Sequence, residues 1–252
     1  MTRSRTRAAR APRGAELATL ALALLLAAPL VAALGAPAAV GDPPSKPVLL
    51  LIHGGGFYEG DPGQMDYAAA IAAEDGRFAT VQPAYPLDNL TGAFEHVRAV
   101  ARSLAARGRE VYAYGDSAGG AIAAWLAARG YVEAAAAKAP PTALVGWRSQ
   151  IAARYATAPP TDPHSWRHMR ATPRVRRAFS SAFRASLRPV RIYQSCEDTI
   201  VPCSINIRFA RRDPEVSLVR IWGPHKDRAA KAYSFRSGLE WLGAKAGAPA
   251  SR

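Results

Sequence analysis

Tyr114-Gly115-Asp116-Ser117-Ala118-Gly119-Gly120 is the stretch on which the reading of this chain turns. It contains the pattern Gly-x-Ser-x-Gly. Before it, Glu110-Val111-Tyr112-Ala113-Tyr114 alternates and is β-prone. After it, the Ala-rich run from Ala118 to Arg129, with Ile122, Trp125 and Leu126, is helix-prone. The local prediction is therefore strand, sharp turn, helix. In so tight a turn a Cβ two residues to either side of Ser117 would clash, and Gly115 and Gly119 carry none. The Ser117 hydroxyl is expected at the C-terminal end of the strand, over the N-terminus of the next helix.

The flanking sequence repeats the same alternation. Lys46-Pro47-Val48-Leu49-Leu50-Leu51-Ile52 is a continuous apolar run, as in a strand buried on both faces of a parallel sheet. It ends in His53-Gly54-Gly55-Gly56-Phe57-Tyr58. Further strands are predicted at Phe78 to Ala84, Val132 to Ala139, Val190 to Gln194 and Val216 to Trp222. Helices are predicted at Gln64 to Glu74, Ala93 to Arg107, Cys203 to Arg212 and Ala229 to Ala244. In the second of these, Phe94, Val97, Val100, Ala101 and Leu104 share one face. Strands alternating with helices imply an α/β fold with a doubly wound, mostly parallel sheet.

The chain has 252 residues, about half of them apolar, which is enough for a sizeable core. Its formal charge is +14, mostly from arginine. No nucleic-acid-binding motif and no basic–aromatic interleaving accompanies that charge, so nucleic acid is not an expected partner. There is no P-loop, dinucleotide fingerprint, CxxC pair or HExxH, and neither a cofactor nor a metal is expected.

Two segments depart from the strand–helix rhythm. Arg3, Arg5, Arg7, Arg10 and Arg13 precede an Ala/Leu run from Leu17 to Leu34, and Gly35-Ala36-Pro37-Ala38-Ala39 offers an A-x-A site. Residues 1–38 are read as a signal peptide cut after Ala38, with an uncleaved anchor as the competing reading. The expected location is secreted or cell-envelope, and membrane-anchored if the segment stays. The second segment, about 141–188, holds Pro159-Pro160, Pro163 and Pro173, and from Arg148 to Arg188 its only acid is Asp162. It is expected to form a short helical cap, with a solvated insertion as the alternative. Its charge would attract an anionic substrate or an anionic envelope or membrane surface.

The His53-Gly54-Gly55-Gly56 loop and the Gly115-Asp116-Ser117-Ala118-Gly119-Gly120 turn, in this order, resemble the α/β-hydrolase superfamily, in particular the HGGG-type, hormone-sensitive-lipase-like serine esterases and lipases. The resemblance covers about residues 46–244. It implies a serine hydrolase acting on carboxylic esters through an acyl-enzyme, with Ser117 as nucleophile and oxyanion donors at Gly55, Gly56 and Ala118. A peptidase or acyltransferase on the same fold, or a binding protein whose catalysis has decayed, stays open beside it. The fold's order of Ser, acid, His implies an acid after the next-to-last strand and a histidine after the last. Asp198, followed by Thr199-Ile200-Val201-Pro202, matches the first, with Glu197 as its neighbouring alternative. His225, in Trp222-Gly223-Pro224-His225, matches the second. His53 precedes the nucleophile and is expected to brace its loop, and Asp116 to support the turn. His96, His164 and His168 read as surface residues.

The only two cysteines, Cys196 and Cys203, bracket Asp198. In an exported chain they are expected to pair and pin the acid loop, with two free buried thiols as the alternative. So short a loop would gain only about 2.5 kcal/mol in the chain-entropy model. Larger members of the group carry additional strands before the glycine loop and a long N-terminal cap. The expectation here is a domain over residues 39–252 with a reduced sheet of about six strands. In that sheet Val48–Ile52 would be internal, and Phe78–Ala84 and Val216–Trp222 would be the edges. Small or exposed esters are the expected substrates.

Overall fold

The structure, a computed structural model, describes residues 46–87, 89–143, 183 and 185–247. The segment 1–38 and most of the Arg-rich insertion, 144–182, lie outside the described residues. Six strands form one sheet: β1 (Val48–Ile52), β2 (Ala79–Val81), β3 (Val111–Asp116), β4 (Ala135–Lys138), β5 (Val190–Ser195) and β6 (Val216–Ile221). The order is β2-β1-β3-β4-β5-β6, and every pairing is parallel. Among the described residues the helices are α1 (Asp66–Asp75), α2 (Leu90–Ala105), α3 (Ala118–Ala128), α4 (Cys203–Arg212) and α5 (Arg228–Lys245).

The apolar run of β1 has the burial its composition demands, with all five residues inside. Its side chains alternate between two cores. Val48, Leu50 and Ile52 face a cluster built with Phe94 and Val97 of α2, Ile122 and Leu126 of α3, and Phe209 of α4. Leu49 and Leu51 face Ala68 and Ala72 of α1 and Phe235, Leu239 and Leu242 of α5. The sheet is thus covered on both faces, which is why its central strands show no polar alternation. At the edge, β6 is less covered: Ser217 and Arg220 are exposed and only Val216 is buried. No helix among the described residues is long and apolar enough to cross a membrane.

The chain order decides where a site can form. From β1 the chain steps outward to β2, then crosses back over β1 to β3 and continues to β6. The winding therefore reverses between β1 and β3, and ligands of such sheets bind beyond the strand ends at this switch. Register places Ile52 beside Gly115, so the glycine loop and the Ser117 turn leave the sheet side by side.

The internal position of β1 and both edges agree with expectation. Boundaries differ locally. The strand expected over Phe78–Ala84 shrinks to Ala79–Val81, because Pro83 lacks an N–H for the ladder and β2 has a neighbour on one side only. The helix expected from Gln64 is preceded by a 3-10 turn, Pro62–Met65, capped by the Asp61 side chain on the Gly63 amide at 2.8 Å.

Leu50 is fully buried in the larger core. Leu50→Ala is expected to cost about 2–5 kcal/mol of unfolding free energy in a urea titration, and a loss near zero would contradict this account of the core.

Candidate active site

The turn after β3 is built from close backbone approaches. A Cβ on Gly115 would lie 2.2 Å from the Gly119 carbonyl carbon, and one on Gly119 would lie 2.1 Å from the Ile52 oxygen. Side chains at either position would drive the turn away from β1. Ser117 itself has φ 53° and ψ −116°, a conformation that costs a non-glycine residue about 1–3 kcal/mol. Its amide donates to the Lys138 carbonyl at 2.8 Å, and its carbonyl accepts from Ala121 at 3.0 Å, closing the first turn of α3. The strained residue is therefore tied on both sides, and its hydroxyl stands at the helix N-terminus.

Asp198 and His225 arrive from the far side of the sheet. After β5 the chain turns on Asp198 itself: its Oδ1 accepts from the amides of Ile200 and Val201, both at 2.8 Å. This local use of the carboxylate is the physical content of the acid-plus-apolar-turn pattern, and buried Val201 anchors it. The other oxygen, Oδ2, lies 2.6 Å from His225 Nδ1. His225 Nε2 lies 2.9 Å from Ser117 Oγ. An ionised carboxylate only accepts, so Nδ1 carries the proton and Nε2 presents its lone pair to the hydroxyl. Burial pushes the Asp198 carboxyl up. The His225 hydrogen bond and charge, then the Val201 and Ile200 amides, outweigh it and hold the group below its ordinary range.

Glu197, the alternative acid, does something else. Its Oε2 accepts from the Gly223 amide at 3.2 Å and so ties the acid loop to the histidine loop. Cys196 and Cys203 are joined by a disulfide, with Cα atoms 5.0 Å apart, which closes the same loop from outside. Gln194 secures it from inside: its Nε2 donates to the carbonyls of Ser195 at 2.8 Å and Val201 at 3.1 Å. Asn206 donates to Gln194 Oε1, and Thr142 to Asn206 Oδ1, all three side chains being buried.

On the other side of Ser117, Gly55 and Gly56 take φ of 107° and 62°. The Gly55 carbonyl accepts from Tyr58 and Glu59, and a Cβ on Gly55 would lie 1.9 Å from the Glu59 oxygen. Gly54 brings the loop against the turn, since a Cβ there would be 3.5 Å from that of Ser117. Ala118 is the first residue of α3, where backbone N–H groups have no helical partner. The three expected oxyanion donors therefore belong to the glycine loop beside the Ser117 turn and to the first residue of α3. His53 stays away from the reacting atoms. Its ring stacks on Tyr85 at 4.1 Å, its Nδ1 lies 2.8 Å from the Gly54 carbonyl, and burial lowers its pKa. The Tyr85 hydroxyl donates to the carbonyls of His53 and Gly54 at 3.0 and 3.1 Å, so the pair braces the loop.

Asp116 points below the turn, where Lys231 Nζ is 3.0 Å from Oδ2 and Lys138 Nζ is 3.5 Å from Oδ1. Burial raises its pKa, but Lys138, Lys231 and His225 in that order prevail and hold it low. Lys138 and Tyr85 were not legible as site residues from local pattern. A single charge closing the buried run Ala135-Ala136-Ala137-Lys138 was the available signal for the first. Nothing comparable marked Tyr85.

A parallel sheet with a strained serine at its winding reversal, next to an imidazole backed by a carboxylate, defines the hydrolase class of α/β fold. The chain belongs to the α/β-hydrolase fold family, whose model matches residues 49–194. Among curated proteins no match is found. Solved structures with the same fold include an esterase from Pyrobaculum calidifontis, at 20 % identity over 81 % of this chain and 76 % of that one, with a TM-score of 0.61. Esterase 2 of Thermogutta terrifontis with propionate bound is 18 % identical over 85 % of this chain and 89 % of that one, TM-score 0.63. A structure from work on LipS and LipT, two metagenome-derived lipolytic enzymes, is 18 % identical over 79 % and 94 %, TM-score 0.61.

The depressed pKa of Asp198 fixes the sign of an acid effect. A carboxyl whose folded pKa lies below its unfolded value of about 3.9 stabilises fully above that value, and loses its contribution as pH falls through the folded one. Stability from urea unfolding should therefore hold between pH 7 and about 5 and decline below about 4. Asp198→Asn, less stable at pH 7, should decline less steeply; an equal slope in both proteins would contradict the assignment.

Proposed function

We propose that this chain is a serine carboxylesterase acting through an acyl-enzyme. The observation that carries the reading is the 2.9 Å approach of His225 Nε2 to Ser117 Oγ, with His225 Nδ1 held by Asp198 at 2.6 Å. As the Ser117 oxygen attacks the ester carbonyl, its proton passes to Nε2, and Asp198 stabilises the imidazolium that forms. Negative charge develops on the carbonyl oxygen. The amides of Gly55, Gly56 and Ala118 are the proposed donors to it, each worth about 3 kcal/mol in such sites. His225 then protonates the leaving alcohol, and water, activated by the same imidazole, cleaves the acyl-enzyme to release acid and free Ser117.

Short acyl esters are the proposed substrates. The Thermogutta esterase holds propionate and butyrate in its structures and is phosphonylated by sarin, as a nucleophilic esterase would be. The arginines of the insertion favour an anionic ester, or contact with an anionic envelope surface, and either preference should weaken as salt rises. Ser117→Ala is expected to lower kcat on p-nitrophenyl acetate by about 10⁴-fold or more and to abolish labelling by a fluorophosphonate probe. Turnover at the wild-type rate in that variant would sink the proposal.

We also propose export. The basic segment, apolar run and small-residue site at residues 1–38 support it, and the Cys196–Cys203 disulfide suits an oxidising compartment. Mass spectrometry of the protein expressed from its full reading frame should show a mature N-terminus at Ala39; an intact Met1 in a cytosolic fraction would argue against export.

A further inference from the structure

Lys138 closes β4, a strand whose other three residues are alanines, and it is only 2 % exposed. A buried ammonium is unfavourable unless its partners are well placed. The partners of Lys138 lie on both sides of the proposed reacting pair. Its carbonyl accepts from the Ser117 amide at 2.8 Å. Its Nζ donates to the His225 carbonyl at 2.6 Å and faces Asp116, the residue before Ser117, at 3.5 Å. One residue, on a strand that bears neither the serine nor the histidine, thus touches the main chain of both.

The geometry points to Lys138 as a positioning residue that sets the Ser117–His225 distance; this rests on the serine-hydrolase reading above. The serine follows β3 and the histidine follows β6, so two strands separate the segments that carry them. Their side chains meet only if the turn around His225 is held at the right height over the sheet. Asp198 fixes the imidazole ring, and Glu197 fixes Gly223, but the His225 main chain is bound by Lys138. Charge neutralisation alone does not account for the lysine. Lys231 already faces Asp116 at the shorter distance of 3.0 Å, from a partly exposed position on α5 where its ammonium also lies 5.2 Å over the Tyr67 ring. What distinguishes Lys138 is the bond to the His225 carbonyl. Asp116 serves as the counter-charge that keeps the Lys138 ammonium aimed there.

The roles separate experimentally in Lys138→Met, Lys231→Met and the double variant Asp116→Asn/Lys138→Met. Lys138→Met is expected to lower kcat about 100-fold with KM within about twofold, the signature of a misplaced base rather than a lost substrate contact. Lys231→Met, which leaves the His225 carbonyl bonded, should lower kcat at least about tenfold less. Removing both buried charges should bring the melting temperature back toward wild type while kcat stays low. A kcat that recovers together with the melting temperature would show a role in stability alone and overturn the inference, as would wild-type kcat in Lys138→Met. A crystal structure of Lys138→Met reads the same point without turnover: His225 Nε2 should move out of hydrogen-bond reach of Ser117 Oγ, and an unmoved imidazole overturns the inference. A wild-type protein inactive on esters would count against the hydrolase reading, while the displacement in that crystal structure would still decide the role of Lys138.

Discussion

The contact between the Ser117 turn and the end of β1 is the constraint from which the site follows. Gly119 approaches the carbonyls of Ile52 and His53 so closely that a methyl group would not fit, and Gly115 approaches Gly119 in the same way. These approaches force the chain to reverse direction within one residue, and that residue is Ser117, at φ 53°. The strain is sustained because the Lys138 carbonyl and the first turn of α3 fix the backbone on both sides. Since β1 and β3 are neighbours at the winding reversal, the contact also presents the glycine loop to the hydroxyl. One steric condition thus produces both the strained serine and the glycine loop beside it.

The polar groups around this contact are arranged by a second condition, that charges taken from water must be paired. Asp198 is satisfied by two amides and His225; Asp116 is faced by two lysines; Lys138 spends its ammonium between Asp116 and the His225 carbonyl. Apart from the two amides on Asp198, which belong to its own loop, these pairings join elements distant in the chain. The acid loop is bonded to the histidine loop through Glu197, and closed on itself by the disulfide and by Gln194. Rigidity of this kind suits a site whose chemistry depends on tenths of an ångström in the placement of a base.

Much of this was legible before any coordinates. The apolar run of β1, the glycines around Ser117, the strand–helix alternation and the order Ser117, Asp198, His225 are local or one-dimensional signals, and the structure brings those three side chains into one line. The helix at Cys203–Arg212 was readable for the same reason, whereas both edge strands were expected from the winding usual in the family that the chain resembles. Boundaries failed where pairing decides them, as at β2, whose extended residues beyond Val81 meet a proline instead of a ladder.

What only the tertiary structure decided is how residues far apart in sequence share work. The sequence favoured Asp198 over its neighbour Glu197 and left Glu197 without a role; their loop turns one carboxylate to the imidazole and the other to the Gly223 amide. His53 was expected to brace its loop, but its partner in that role, Tyr85, thirty-two residues away, was not legible. Lys138 had no motif, and its role appears only when β4 is set between β3 and β5 so that its side chain reaches the loop after β6. Residue types and spacing determine which chemistry the chain can support, because turns and strands are written in local sterics. Which atoms meet depends on sheet order and register, and these arise from burying both faces of the sheet at once, a property of the whole chain.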